Sequence, residues 1–249
     1  MALFSRIMGL IESMQSSGRW LFKYRGQLPL VLFALAVPAV YFTDYSSITA
    51  LTEKIINYSA VLFSLAGFLI RSYTVGTTPL GTYGRNTKQQ VAEELNTTGI
   101  YSLVRHPLYL GNYLIWLGIV CYTKNVAFVM VFTLLYWLYY ERIMMAEEHF
   151  LMGKFGNAFL LWSERIPAFI PRLSGFTKPS SSFSLKQVLR REYSGVLATV
   201  IGFVFVELLI GWKMYGTYAL GSRFTTVLLG TAIVAFLLRS LKHYTKWLN

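Results

Sequence analysis

The sequence predicts an all-α fold, a polytopic membrane helix bundle of about six transmembrane helices preceded by an N-terminal amphipathic helix. The 249 residues are 55% hydrophobic and only 14% charged, and the mean hydropathy is +0.47. Because a soluble globular protein carries about 25% charged residues, this chain lacks the charge to cover a globular surface of its size. The same composition excludes a disordered chain and argues against a cytosolic enzyme.

Residues 1–26 are predicted to form an interfacial N-terminal segment. Apolar side chains recur there at helical spacing, at Leu3, Ile7, Leu10, Ile11 and Met14. Charged residues interrupt every long apolar run, so the stretch cannot span a membrane. The pattern is typical of an amphipathic helix that lies on the membrane surface. A disordered leader is the alternative that the pattern leaves open.

Six apolar segments are expected to cross the membrane. They are about Leu28–Phe42, Tyr58–Tyr73, Leu108–Tyr122, Val126–Tyr140, Ser194–Trp212 and Phe224–Leu241. A perpendicular span needs about 20 residues, so the shorter segments must extend into their aromatic flanks or lie in a locally thinned bilayer. The first segment also fits a cleaved signal peptide. An uncleaved anchor is preferred, because the motifs described below need the whole bundle.

The positive charges predict that both termini and the two long loops lie in the cytoplasm. Of the 23 Lys and Arg residues, only four fall in the predicted outer loops, at Lys54, Lys124, Lys213 and Arg223. By the positive-inside rule the remaining charges mark the cytoplasmic face. The net charge of +12 then reflects contact with anionic lipid headgroups rather than nucleic acid. Both a bacterial inner membrane and the endoplasmic reticulum fit this multi-pass topology.

A polar stretch at Leu173–Gln187, with Gly175, Pro179 and a run of serines, predicts a linker. The expected organisation is an interfacial segment at 1–26, a membrane core at 27–172, a linker at 173–193 and a two-helix membrane extension at 194–249. The single cysteine excludes an internal disulfide. The three histidines lie far apart and show no metal-ligand spacing, so no metal site is expected.

The first candidate functional motif is Gly99–Asn112, which contains Arg105-His106-Pro107. Proline disfavours helical conformation in the residue before it and is itself suited to a first helical turn. Arg105 and His106 should therefore lie just before the third span, where free N–H groups and the helix dipole favour an anion. The alternative is an ordinary interfacial belt, in which these side chains meet lipid phosphates.

The second motif is Glu141–Gly156, which continues the fourth span into the cytoplasm. Adjacent Glu147 and Glu148 point about 100° apart on a helix, so at least one can face the bundle; a solvated acidic turn is the alternative. The two motifs lie at opposite ends of one predicted helical hairpin and should converge at the cytoplasmic interface. Such a site suits a ligand with an aromatic base, an ammonium group and a carboxylate.

Together the two motifs resemble the isoprenylcysteine carboxyl methyltransferase family, which is similar in turn to the membrane phospholipid methyltransferases. The resemblance covers roughly residues 80–171, and both motifs keep their order and internal spacing. It is carried by Gly99, Tyr101, Arg105-His106-Pro107, Tyr109, Gly111, Glu147-Glu148, Leu151, Phe155-Gly156, Phe159, Trp162 and Arg165-Ile166-Pro167.

The resemblance implies S-adenosylmethionine as the methyl donor and a lipophilic acceptor, either a prenylcysteine carboxylate or a lipid headgroup. It implies a cofactor site at the cytoplasmic end of the bundle, formed by Arg105, His106, Leu108, Tyr109, Gly111, Glu147 and Glu148. Arg142 and Arg165 would orient an anionic acceptor. If the acceptor were a lipid amine, a base would be required, and Glu148 or His149 would be the nearest candidate.

Glu207 falls inside the fifth predicted span, where a charge is costly. It could be neutral, pair across helices or line a path for the acceptor. Two other function classes stay open, an NADPH-dependent reductase of the sterol-reductase type and a non-enzymatic scaffold or transporter. Transporters place polar groups at mid-membrane, whereas here they cluster at one interface. The identity of the acceptor and the oligomeric state are left open by the sequence.

Overall fold

The computed structural model describes residues 2–79 and 92–245, and the prediction of an all-α fold is confirmed there. The described residues form eight α-helices, which are α1 (Ala2–Tyr24), α2 (Leu28–Tyr41), α3 (Ala50–Thr77), α4 (Pro107–Tyr122), α5 (Val126–Phe155), α6 (Asn157–Ser163), α7 (Leu185–Tyr215) and α8 (Ser222–Tyr244). A 3-10 turn covers Ile100–Ser102, and an isolated β-bridge joins Gly99 to Thr177. Three predicted cytoplasmic charges lie outside the described residues, at Arg85, Lys88 and Lys246.

Four of the described helices are long and apolar enough to cross a membrane, namely α3, α5, α7 and α8. Helices α2 and α4 are apolar but have only 14 and 16 residues, fewer than the roughly 20 that a perpendicular span needs. The protein is therefore an integral membrane protein by the composition of its helices, whereas the count of six spans stays a prediction. Helix α1 forms where a helix was expected, and its place on a membrane surface also stays a prediction.

Helix α7 begins earlier than the sequence suggests. Residues 185–193, which fall in the predicted linker, are its first turns. Ser184 provides the N-cap, because its side-chain oxygen accepts a hydrogen bond from the backbone N–H of Gln187. This start is hidden in the sequence because the first turns are rich in basic residues and lack an apolar run. The proposed division of the chain into domains stays a prediction.

The described residues group into two compact units, each assembled from three stretches of sequence. Unit 1 contains residues 1–29, 77–109 and 134–181, and unit 2 contains residues 30–76, 110–133 and 182–249. Helices α4 and α5 therefore each contribute residues to both units. Unit 1 contains four charged or titratable residues of the two candidate motifs, Arg105, His106, Glu147 and Glu148.

Glycines let the helices of unit 2 approach closely. A Cβ atom at Gly118 of α4 would lie 2.2 Å from the Ser64 hydroxyl oxygen and 2.3 Å from the Ala60 carbonyl oxygen, both on α3. Small residues at helix contacts are typical of membrane bundles, where close backbone packing replaces the hydrophobic effect as the driving force. The core beside this contact is formed by the buried residues Val40, Ala60, Ile119, Tyr122, Val206 and Ile210.

Charged side chains inside unit 2 have partners on other helices. Arg71 of α3 donates two hydrogen bonds to the carboxylate of Glu192 on α7, at 2.8 and 2.7 Å, and a third to the Asn112 side-chain oxygen at 2.6 Å. The Tyr122 hydroxyl donates to the Glu207 carboxylate at 2.8 Å. Of the three roles considered for Glu207, pairing across helices is therefore the one that the structure displays.

Helix α1 docks on α5 within unit 1. A Cβ atom at Gly18 would lie 2.1 Å from the Arg142 carbonyl oxygen, so the two backbones touch at this point. The Tyr139 hydroxyl donates a hydrogen bond to the Leu21 carbonyl at 3.0 Å, and Phe22 is buried. The later turns of α1 are therefore packed on the helix that carries the two glutamates.

We expect Gly118→Ala to destabilise the protein, because the added methyl group would collide with a backbone carbonyl that cannot move away alone. Overpacking of this kind costs about 1–3 kcal/mol. Circular dichroism of the purified protein in detergent should record a lower midpoint of thermal unfolding. Gly230→Ala is the matched control, since a Cβ there meets no atom within 4 Å. Equal midpoints for the two variants would show that the contact between α3 and α4 is not tight.

Candidate functional site

Two segments of unit 1 lie side by side. One is residues 103–106, just before α4, and the other is residues 167–172, after α6. Three backbone hydrogen bonds join them, from Arg105 to Pro167 at 2.9 Å, from His106 to Ala168 at 3.1 Å and from Arg172 to Leu103 at 3.1 Å. Pro107, which has no N–H group, then begins α4. The backbone N–H groups of Arg105 and His106 are therefore not available to an anion, since carbonyl oxygens of the neighbouring segment already accept from them.

Arg105 connects this loop to α5. Its guanidinium makes a bidentate pair with the Glu148 carboxylate, with Nε 2.8 Å from Oε1 and Nη2 3.0 Å from Oε2. Its Nη1 donates to the carbonyl oxygens of Ser163 and Ile166 at 2.6 and 2.7 Å. Bidentate pairs of this kind are both strong and directional. Arg105 therefore fixes the end of α5 against the chain that follows α6.

His106 lies between the two glutamates. Its Nε2 atom is 2.8 Å from Oε1 of Glu148, its Nδ1 atom is 3.6 Å from Oε2 of Glu147, and its side chain is only 5% exposed. Burial acts to lower the pKa of His106, but the two carboxylates outweigh burial and raise the pKa above its ordinary value. The ring of Tyr109 stacks on the imidazole with centroids 5.6 Å apart.

The two glutamates differ in what they can still bind. Both oxygens of Glu148 are engaged by Arg105, and one of them also by His106. Glu147 is the more exposed of the two, with 31% of its side chain accessible against 23% for Glu148. Its described contact is the longer approach to His106, at 3.6 Å. Since a carboxylate can accept about four hydrogen bonds, Glu147 keeps capacity for a ligand.

Aromatic side chains pack beside this cluster. The rings of Tyr109 and Tyr140 have centroids 4.9 Å apart, and Tyr140 stacks on Tyr136 at 4.1 Å. The Tyr136 hydroxyl donates to the Tyr109 carbonyl at 2.7 Å, which ties α5 to the first turn of α4. On α6, Phe159 is buried and its ring meets Trp162 edge to face. The site thus combines carboxylates with π surfaces, which suits a cationic ligand with an aromatic part.

The structure places the two predicted acceptor-orienting arginines differently. The Nη1 atom of Arg142 donates to the Leu138 carbonyl one turn earlier on α5, at 2.7 Å. Arg165 is exposed, and its side chain forms no ion pair with any residue that the structure describes. Arg165 immediately precedes the segment that holds the Arg105 guanidinium and backbone. The roles of Arg142 and Arg165 stay predictions.

The remaining predicted residues are Leu108, Gly111 and His149. Leu108 is half-buried in the first turn of α4, and His149 is exposed. Gly111 lies in unit 2, where a Cβ atom would be 2.5 Å from Cγ of Arg71 and 2.9 Å from the Gly67 carbonyl oxygen. Close packing of α3 on α4 therefore explains the glycine without a ligand. Its place in a cofactor wall stays a prediction.

The structure brings together five of the predicted residues, namely Arg105, His106, Tyr109, Glu147 and Glu148; we call them the carboxylate cluster. Sequence reasoning missed the backbone carbonyls that hold it, at Ser163, Ile166, Pro167 and Ala168. The Arg165-Ile166-Pro167 motif marked this segment, but its contribution is made by the main chain. Among the described residues there is no group of three or more side chains arranged to hold a metal ion.

Comparison with known proteins gives a match over the region that contains both motifs. Residues 55–158 match the phospholipid methyltransferase family model. The nickel-cobalt-cadmium resistance protein of Alcaligenes xylosoxydans xylosoxydans is 33% identical over 123 residues, 49% of this chain and 56% of that protein. The cobalt-zinc-cadmium resistance protein of Cupriavidus metallidurans is 36% identical over 116 residues, 47% of this chain and 52% of that protein.

The protein-S-isoprenylcysteine O-methyltransferase of Schizosaccharomyces pombe is 28% identical over 120 residues, 46% of this chain and 51% of that enzyme. The chain thus spans about half the length of these curated relatives. No solved structure matches. The resemblance that the two motifs predicted is confirmed by the family match and by the named methyltransferase.

We expect the carboxylate cluster to lose stability as the pH rises. The pKa of His106 is raised in the folded chain, so its pairing stabilises the fold fully below the unfolded value of about 6.5 and is lost as the pH rises through the higher folded value. From about pH 6 to about pH 9, the midpoint of thermal unfolding should fall more for the wild type than for His106→Gln. His149→Gln, at an exposed position, should keep the wild-type pH dependence. Identical curves for the wild type and His106→Gln would contradict this expectation.

Proposed function

We propose that this chain, which is similar to the phospholipid methyltransferase family over residues 55–158, is an integral membrane methyltransferase. Its donor would be S-adenosylmethionine, and its acceptor would be a lipophilic molecule at the cytoplasmic interface, either a prenylcysteine carboxylate or a lipid headgroup. The observation that carries the proposal is the convergence of Arg105, His106 and Tyr109 with Glu147 and Glu148. All five lie inside the matched region.

The residues present fit such a donor. Its amino-acid end carries an ammonium group, for which the accessible carboxylate of Glu147 is a suitable acceptor. Its sulfonium centre and adenine ring suit the aromatic rings of Tyr109 and Tyr140. When bound, the donor would supply a methyl group that is already activated. The task left to the protein is therefore to position the two reactants and exclude water.

Arg105 and His106 act as positioning residues in this proposal. By engaging Glu148 they hold the end of α5 beside the loop that precedes α4. Glu147, the preceding residue on α5, is thereby fixed toward the ring of His106. Loss of the Arg105 or His106 side chain would leave the Glu148 carboxylate partly unpaired in a partly buried place, which is costly.

The hydrogen bonds that Glu148 already makes also bear on the identity of the methyl acceptor. A lipid amine would require a base, and Glu148, the first candidate for that role, is already engaged by Arg105 and His106. The other candidate, His149, is exposed. A carboxylate or phosphate acceptor is already an anion at neutral pH and needs only to be clamped. We therefore favour an anionic acceptor, oriented by Arg142 and Arg165.

The topology is part of the same proposal. Both termini would lie in the cytoplasm, α2 and α4 would add to the four long helices to make six spans, and α1 would lie at the interface. The docking of α1 on α5 next to the carboxylate cluster supports this placement of α1. The matches give no support to the reductase or to the scaffold that the sequence left open.

Glu147→Gln should weaken the binding of S-adenosylmethionine, because a neutral amide can accept a hydrogen bond but cannot form a charge-assisted pair with the donor's ammonium group. The expected loss is about tenfold to a hundredfold in Kd. Isothermal titration calorimetry of the purified protein in detergent would measure it, and transfer of a labelled methyl group to lipid extract would report the activity. Glu164→Gln, at an exposed carboxylate, is the matched control. A wild-type protein that binds no S-adenosylmethionine would refute the proposed function.

A further inference from the structure

A short closed loop of unit 1, residues 172–177, lies between α6 and α7; we call it the 172–177 loop. The backbone N–H of Gly99 donates to the Thr177 carbonyl at 3.0 Å, and the backbone N–H of Arg172 also donates to the chain that precedes α4. The Nη2 atom of Arg172 donates to the Gly175 carbonyl at 3.2 Å, across a turn in which Gly175 has a φ of 81°. The loop is therefore held at both ends and across its middle.

Large apolar side chains point outward from this fixed loop. Leu173 is 101% exposed and Phe176 is 51% exposed, and Ile170, just before the loop, is 77% exposed. Removing one such side chain from water is worth about 1.5–3 kcal/mol. A single exposed leucine is ordinary, but three large apolar side chains within seven residues of a pinned segment are typical of a surface that meets a partner.

The same loop carries positive charge that the described residues do not neutralise. Arg172 donates three hydrogen bonds, to the carbonyl oxygens of Ser102 at 3.0 Å, Arg165 at 3.4 Å and Gly175 at 3.2 Å, and it forms no ion pair with a residue that the structure describes. Since a guanidinium has five N–H groups, two remain for a ligand. Lys178, directly after the loop, is exposed.

Charge and apolar surface together select the kind of partner. Residues 165–191 contain six Lys or Arg residues and no Asp or Glu, so the partner should be anionic. Exposed apolar side chains beside basic ones are typical of segments that lie at the boundary between lipid headgroups and acyl chains. The long apolar helices place a bilayer next to this chain, and anionic lipids attract basic segments close to the membrane.

We propose that the 172–177 loop binds the surface of the surrounding bilayer at anionic phospholipids. Arg172 and Lys178 bind the lipid phosphate groups, while Leu173 and Phe176 insert at the boundary between headgroups and acyl chains. The bound lipids are not methyl acceptors, and the inference does not depend on the proposed methyl transfer.

The loop is continuous with the segment that holds the carboxylate cluster. The carbonyl oxygens of Ile166 and Pro167 accept hydrogen bonds from Arg105, a few residues before the loop begins. Because the loop and this segment are pinned to the same stretch of chain before α4, binding of the loop to lipid would hold the cluster at headgroup depth.

The test measures which lipids surround residue 173. The single native cysteine is removed by Cys121→Ser, Leu173→Cys is added, and a fluorophore is attached to the full-length protein in nanodiscs of phosphatidylcholine and phosphatidylglycerol in equal amounts. A nitroxide quencher is carried on one lipid or on the other. Quenching by either lipid reports insertion, and stronger quenching by labelled phosphatidylglycerol reports anionic selectivity. We expect both.

Variants of the two cations test the phosphate contacts. Arg172→Gln and Lys178→Gln should each lower the local preference for phosphatidylglycerol by about fivefold, since one cation near the surface is worth about 1 kcal/mol. Arg172→Lys should keep most of the preference. Lys178 makes no described contact within the loop, so its variant remains decisive if Arg172→Gln disturbs the loop.

A fluorophore at Glu94→Cys, an exposed position of the same unit, is the matched control and should show little quenching by either lipid. An equal preference there would indicate general attraction to the net charge of +12 and would overturn the assignment. Absence of quenching at residue 173 would overturn it as well, and would point to a protein partner in the aqueous phase. Equal quenching by the two lipids would refute the phosphate contacts.

Discussion

The order of unit 1 depends on one shared carboxylate, that of Glu148. It is only partly exposed, and leaving its charge unpaired there would be costly. Arg105 supplies a bidentate pair and His106 a further contact at 2.8 Å. Since Arg105 also binds the carbonyl oxygens of Ser163, at the end of α6, and Ile166, just after it, the chain before α4, the end of α5 and the end of α6 converge on one point. Removing any partner would leave the others with an unsatisfied charge or donor.

Because Glu148 is satisfied, its neighbour Glu147 can serve a ligand. Adjacent carboxylates would repel each other if both lacked partners, yet His106 lies between them, and its raised pKa favours the protonated form of the ring. The two glutamate side chains are identical, but their surroundings give them different roles. One holds the structure together, and the other keeps accessible surface and lone pairs.

Much of this cluster could be predicted from the sequence, because its parts obey local rules. Pro107 fixes a helix start, helical spacing fixes the directions of Glu147 and Glu148, and a short hairpin brings the two motifs to the same side. Main-chain acceptors such as those of Ile166 and Ala168 cannot be recognised in the sequence, because every residue carries a carbonyl. The apolar pattern likewise identified the helices but missed the basic first turns of α7.

The pairing of Arg71 with Glu192 has a consequence for biogenesis. The partners lie 121 positions apart in the chain and on two helices that are each apolar enough to enter a bilayer. During synthesis the guanidinium is made long before its carboxylate, and an isolated charge is poorly tolerated in hydrocarbon. The bond between α3 and α7 can therefore form only after Glu192 has been synthesised, in the last quarter of the polypeptide.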